Sequence, residues 1–228
     1  MPLDHTIPTY TDKAAPFILE HGGKMGGLEF LRSHVPQLAG SILPSTLLKG
    51  DQTWDDDRDI RSYRMIVRAS HPHDFQGLVD VIDTKVVQPE EDINDIIAYI
   101  RHQAASNAVV SYAQYENPAY QEADTTIGIQ PYFPNKRGSI VEHPNQPGMF
   151  IISNVAPRAL GSKMEIETYG YDRSSGEHRW LGGSSSGYDK VATERAVEAY
   201  ELIRSAELVQ DPYSFQVEFL QHTDHEQL

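Results

Sequence analysis

Apolar and polar positions fall into short runs whose period changes along the chain. Met65-Ile66-Val67 is unbroken apolar sequence that stops at Arg68, which predicts a buried strand ending on a permanent cation with a planar fork of donors. Ala69, Ser70, Pro72, Asp74 and Gly77 follow, small or turn-forming residues that let the backbone pass close to a ligand; Gly77 leaves amide hydrogens uncovered. Val79, Val81 and Ile82 continue as strand. Ile93, Ile96, Ile97 and Ile100 recur at helical spacing and predict a helix over 90–103 with this face in the core. The run over 125–133 predicts a strand ending near Pro131, with Gln130 at its far end. Ser139 to Val141, Met149 to Ser153 and Lys163 to Tyr169 alternate as three strands of an antiparallel sheet, and Tyr171 to Glu177 reads as a hairpin turn. Thr193 is a fair N-cap for a helix to about Ala206, with Val197, Tyr200, Leu202 and Ile203 inward. Phe215 to Phe219 closes as a strand, Phe215 and Val217 on one face, Gln216 and Glu218 on the other.

The first third is less regular. Pro2, Pro8 and Pro16 predict an irregular arm up to residue 21, and Gly22-Gly23-Lys24-Met25-Gly26-Gly27 before Leu28, Phe30 and Leu31 reads as a glycine loop opening a short helix. Amides at such a start favour an anion, and Lys24 adds a mobile charge; a flexible surface loop is the alternative, because the full P-loop spacing is missing. Ser41 to Pro44 predicts a short strand. The five aspartates of 51–59 do not follow the calcium-loop pattern and read as a solvated loop. Likewise Arg68 has an alternative reading, an edge-strand arginine paired with a carboxylate.

Length and charge narrow the classes. A chain of 228 residues buries a real core, in one large domain or two joined lobes. Its formal net charge of -14 opposes non-specific binding to nucleic acid or anionic membranes, while still permitting a small basic pocket. The absence of cysteine excludes disulfides, thiolate metal sites and a cysteine nucleophile. No apolar run reaches membrane-spanning length and the start carries no signal-like pattern, so a soluble cytoplasmic protein is expected.

Several motifs stand in one order: Gly22-Gly23-Lys24, Val67-Arg68-Ala69-Ser70, Phe75-Gln76-Gly77, Asp83-Thr84, Ile127-Gly128-Ile129-Gln130, and Gly138-Ser139-Ile140-Val141 with Pro144. In that order they resemble the GGK, VRSSA, FAG, DT, VQ and SGVVFT segments of the N-terminal ATP-grasp domain of phosphoenolpyruvate synthase, pyruvate phosphate dikinase and rifampicin phosphotransferase. The resemblance covers most of the chain, although Asp83-Thr84 lies a few residues late. It implies an α+β, two-lobed ATP-grasp-like fold with mixed and antiparallel sheets, an N-terminal lobe over 1–125 and a C-terminal lobe over 126–228. It also implies ATP and Mg2+ as cofactors, bound between the lobes. Lys24 and Arg68 would hold phosphate oxygens and carry the catalytic role, the Gly77 loop and Thr84 would lie at the nucleotide, and Gln130 near the adenosine end. Glu218 matches the glutamate of a closing DIEW strand that holds the metal, with Gln216 in place of the aspartate. The implied reaction is phosphoryl transfer to a small acceptor or to a separate phosphohistidine-type domain or protein.

Two departures bear on that activity. A GLGE-like segment with a second acidic group is missing, Glu165 and Glu167 being substitutes by position only, and the chain stops before a final strand with a Gln-x-Arg ending. A degenerate ATP-grasp that binds nucleotide as a regulatory or interaction module is therefore the alternative, and a purely structural domain with an empty site is a third. Rival chemistries are thinner. His71-Pro72-His73-Asp74 with His143, His222 or His225 lacks regular metal spacing. Ser184 to Ser186 has no G-x-S-x-G elbow, and the surrounding 182–187 glycine-serine stretch reads as a phosphate-covering loop or a plain linker.

Overall fold

The computed structural model describes residues 10–55, 64–71, 82, 84–88, 90–106, 108–111, 125–132, 137–155, 166–183, 190–211, 213 and 215–220. The chain divides into two compact units, Met1–Tyr132 and Phe133–Leu228, a division a few residues later than 125/126. Both are α+β, and every described strand pairing is antiparallel rather than mixed.

The first unit contains α1 (Ala15–His34), α2 (Pro36–Ala39), β1 (Thr46–Leu48), β2 (Met65–Ser70), β3 (Lys85–Val86), α3 (Ile93–Ala104) and β4 (Thr126–Pro131). Its sheet runs β1-β4-β2-β3. β4 lies between β1 and β2, so Gln130 belongs to this unit and not to the C-terminal one. On one face Val67, Ile127, Ile129 and Leu48 pack against Ile93, Ile97 and Ile100 of α3. The isoleucine stripe is thus the core face, with Ile96 at its edge, and the helix starts where Asp92 accepts the Asn94 N–H (2.8 Å). Trp54 is buried in this core and tied to α3: its backbone N–H donates to Asn94 Oδ1 (2.8 Å), and Asn94 Nδ2 donates back to its carbonyl.

The other face carries Arg68, Ser70, Gly128 and Gln130, and α1 packs there. From Ala15 onward the expected arm and the glycine loop are instead one helix, interrupted only at Gly22 (φ 78°, ψ 168°); residues 1–9 of the expected arm lie outside the described residues. Pro16 sits in the first turn, where its missing N–H has no partner to lose. Position 26 of the helix must be glycine because the two segments cross closely: a Cβ there would lie 2.3 Å from the Phe17 carbonyl oxygen. Phe17 meets Phe30 and His34 edge-on across the crossing, and Phe30 stacks on His34. The expected strand at Ser41 to Pro44 falls at Thr46–Leu48 instead, since Pro44 has no N–H for a ladder. Ile82 is a bend; Val79 and Val81 lie outside the described residues.

The second unit contains β5 (Arg137–Glu142), β6 (Met149–Val155), β7 (Ile166–Asp172), β8 (Glu177–Gly182), α4 (Lys190–Ser205) and β9 (Val217–Leu220), in the sheet order β8-β7-β6-β5-β9. Ile140, Phe150, Ile152, Tyr169 and Tyr171 face Ala196, Val197 and Tyr200 of α4, with Phe215, Val217 and Phe219 closing the side. Thr193 is not an N-cap. It lies inside α4, 1% exposed, its hydroxyl 2.9 Å from the Tyr169 hydroxyl. Glu142 is buried on the same face, accepting the Gly148 N–H and pairing with Arg204. The hairpin turn is confined to 173–176, and β8 follows it as an exposed edge strand.

Candidate functional site

The site is built on the α1 face of the first sheet. Arg68 is the cross-strand partner of Gly128, and paired residues on one face stand about 5 Å apart at Cβ. The space that Gly128 leaves is filled by the Met25 thioether: a Cβ on Gly128 would be 2.6 Å from its sulfur. The neighbour of Lys24 therefore packs in the row of Arg68 itself. Val67 pairs with Lys85, so Thr84, one step along the register, stands level with Arg68. Arg68 is half-buried while Lys24 and Thr84 are exposed, an arrangement of two cations and a hydroxyl suited to phosphate oxygens.

Two bonds dock α1 at this end of β2. Gly23 N–H donates to the His71 carbonyl (2.8 Å), and Met25 N–H donates to the buried Ser70 Oγ (3.0 Å). Gly22 makes the docking possible. A Cβ there would lie 2.4 Å from the backbone of Ser70 and His71, and its φ/ψ belongs to a region that glycine alone occupies readily. The glycines therefore set a helix start against a strand end. Its Gly23 and Met25 amides are already committed, so they are not the open loop amides that an anion site at this start would use.

Gln130 is 4% exposed, and its Nε2 donates to Ser45 Oγ (2.9 Å), tying β4 to the entry of β1. That bond leaves its side-chain carbonyl oxygen and the second Nε2 hydrogen unused. Gly77 and Asp83 lie outside the described residues, as do Phe75, Gln76, His73, Asp74, Glu165, His222, His225 and Ser184 to Ser186. Among the described residues no group of three or more histidine, aspartate or glutamate side chains is arranged to hold a metal. A groove of about 560 Å³ at the start of α3 is lined by Glu90, Glu91, Asp92 and Asp95 with Lys85 over the Tyr99 ring. Its carboxylates disfavour an anion, and it adjoins α3 rather than the Arg68 face.

In the second unit Glu218 is exposed on β9, on the sheet face opposite α4. Strand register places Ser139 beside it, then Ser153, then Thr168, whose hydroxyl is 3.3 Å from that of Ser153. Glu167 is one residue along from Thr168 and so turns to the opposite face, 8% exposed. It is therefore unable to serve as the second acidic group beside Glu218. A cation held there has one protein carboxylate among the described residues, which suits Mg2+ only when phosphates and water complete its shell. The sequence shows Ser70 only as a small residue of the Val67-Arg68-Ala69-Ser70 motif, without its partner on α1, and does not show the hydroxyl row, because register is not visible in one chain.

No helix among the described residues is long and apolar enough to cross a membrane. No protein-family model matches the chain, and no curated protein matches it significantly. Among solved structures the chain is similar to the ATP-grasp ligase PsnB complexed with a minimal precursor, at 9% identity and a TM-score of 0.30. That alignment covers 82% of this chain and 60% of the ligase chain.

Proposed function

We propose that the chain is an ATP-binding domain whose first unit takes the nucleotide phosphates at the α1 face, through Lys24 and Arg68. The observation that supports the reading is that Met25, the chain neighbour of Lys24, fills the space at Gly128, the cross-strand partner of the half-buried Arg68. Thr84 at the same level adds a hydroxyl, and the Gln130 carbonyl offers an acceptor for an amine such as that of adenine. The ordered motifs shared with phosphoenolpyruvate synthase-like enzymes support ATP over other polyphosphates. In the same reading Glu218 of the second unit is a Mg2+ ligand, and the phosphoryl group passes to a partner or a small acceptor. Rate enhancement then comes from positioning and charge neutralisation, with little covalent work by the protein.

The test is calorimetric titration with ATP, with and without Mg2+. Each charge-assisted contact is worth about 1.5–3 kcal/mol, so Arg68→Ala should weaken ATP about 10- to 150-fold in a folded protein. Unchanged affinity would remove Arg68 from the site. A second reading is a nucleotide-binding module without turnover, favoured by the orientation of Glu167 away from Glu218. Release of AMP and phosphate would exclude it.

A further inference from the structure

We infer that Ser70 is a positioning residue for phosphate binding, fixing Lys24 relative to Arg68; the inference rests on the phosphate reading above. Ser70 is fully buried, two residues beyond Arg68 and on the same face of β2. Its Oγ accepts the Met25 N–H at 3.0 Å, and the carbonyl of the next residue, His71, accepts the Gly23 N–H at 2.8 Å. Lys24 is thus the one residue between two tethers, both anchored on the segment that follows Arg68. A lysine has four rotatable side-chain bonds, and a fixed main chain at its root limits the volume its ammonium searches.

Each orphan donor at a helix start needs an acceptor, and an N-cap side chain normally supplies one from within the same segment. At the restart of α1 the preceding residue is Gly22, which has no side chain, so the acceptor comes from β2 instead. The cap bond therefore also docks Lys24's helix onto Arg68's strand. With Ser70→Ala the amide of Met25 loses its acceptor, the restart frays, and Lys24 no longer meets the phosphates in a fixed geometry. Arg68, held by β2 and β4, stays where it is.

The test compares tripolyphosphate, ATP and adenosine binding by calorimetry in the full chain, with amide hydrogen exchange followed at Gly23 and Met25. Ser70→Ala should weaken tripolyphosphate and ATP by about tenfold, the scale of one misplaced contact, and leave adenosine affinity unchanged. Met25 exchange should accelerate. Ser70→Cys keeps the size with a weaker acceptor and should fall between the two, which guards against a general packing defect. Equal loss for adenosine and tripolyphosphate, or unchanged tripolyphosphate affinity alongside a faster Met25 amide, overturns the positioning role while the phosphate reading stands. A wild-type chain that ignores tripolyphosphate overturns the phosphate reading itself, and is seen before any variant is made.

Discussion

Replacing Gly22 by alanine should be among the most damaging single changes in the first unit, and the structure gives the size of the effect. Gly22 has φ 78° and ψ 168°, in a region that costs a non-glycine residue about 1–3 kcal/mol. The added Cβ would also fall 2.4 Å from Ser70 and His71 backbone atoms, so the helix must move away from β2. Moving it breaks the Met25–Ser70 and Gly23–His71 bonds, each worth about 0.5–1.5 kcal/mol net. The total is about 2–6 kcal/mol, a large share of a typical domain's stability. Gly50→Ala is the control: Gly50 also has positive φ (49°) but no atom within 4 Å of its would-be Cβ, so only a conformational cost of about 1 kcal/mol applies. The assay is urea unfolding followed by tryptophan fluorescence, in which Trp54, buried in the first unit's core, reports that unit; Trp180 is exposed. Equal destabilisation by the two alanines would refute the argument that close docking of α1 on β2, and not backbone conformation alone, selects glycine at 22.

In the second unit, the Tyr169–Thr193 hydroxyl pair should show coupling of about 1 kcal/mol in a double-mutant cycle with Phe and Val, read from denaturant unfolding; simple additivity would deny the bond an energetic role. The Lys49 ammonium, hydrogen-bonded to Glu20 at 3.1 Å, and then His21 hold the Glu20 carboxyl below its ordinary value. A depressed carboxyl contributes stability above its unfolded value and loses it as pH falls through the folded one, so Lys49→Met should raise the Glu20 pKa measured by NMR and flatten the acid limb of the stability profile. An unmoved Glu20 titration would show that the pair does not form in solution.

How far the sequence revealed this depends on whether a segment's fate was decided locally. β2 was legible because Met65-Ile66-Val67 is apolar on both faces of a central strand, and α3 because its isoleucines keep a helical period against one flat sheet. β9 was legible from the alternation of Phe215, Val217 and Phe219 around exposed Glu218. β8 was not, since an edge strand exposed along its length has no buried face to impress a pattern. α1 was misread for a different reason. Glycine is a poor helix former in isolation, but here its small size lets two helical segments cross and one of them dock on a strand, and tertiary packing outweighs propensity. Thr193 failed in the same way: its preference for a cap was overridden by a buried hydroxyl partner on β7. Among candidate site residues, Lys24 and Arg68 were visible from order and charge, whereas Ser70 required knowing that the strand end and the glycine kink meet.

The two readings of activity separate on the chemistry of the second sheet. Transfer of a phosphoryl group demands that charge developing on the phosphate oxygens be neutralised, and an enzyme with few cations of its own does this with metal held between carboxylates and phosphates. Along the row of Glu218 the next three side chains are Ser139, Ser153 and Thr168, neutral hydroxyls where a second anion would be needed to hold a further cation. Hydroxyls can donate to a phosphate directly, which a carboxylate cannot, so this face is better suited to hold a single Mg2+ with an oxyanion than a pair of cations. On the proposed reading the discriminating measurement is the Mg2+ dependence of ATP binding and of turnover, since Glu218 is the one carboxylate of this row among the described residues. ATP bound nearly as well without Mg2+ and never turned over would favour the binding module; steep Mg2+ dependence of both would favour phosphoryl transfer with Glu218 as the metal ligand.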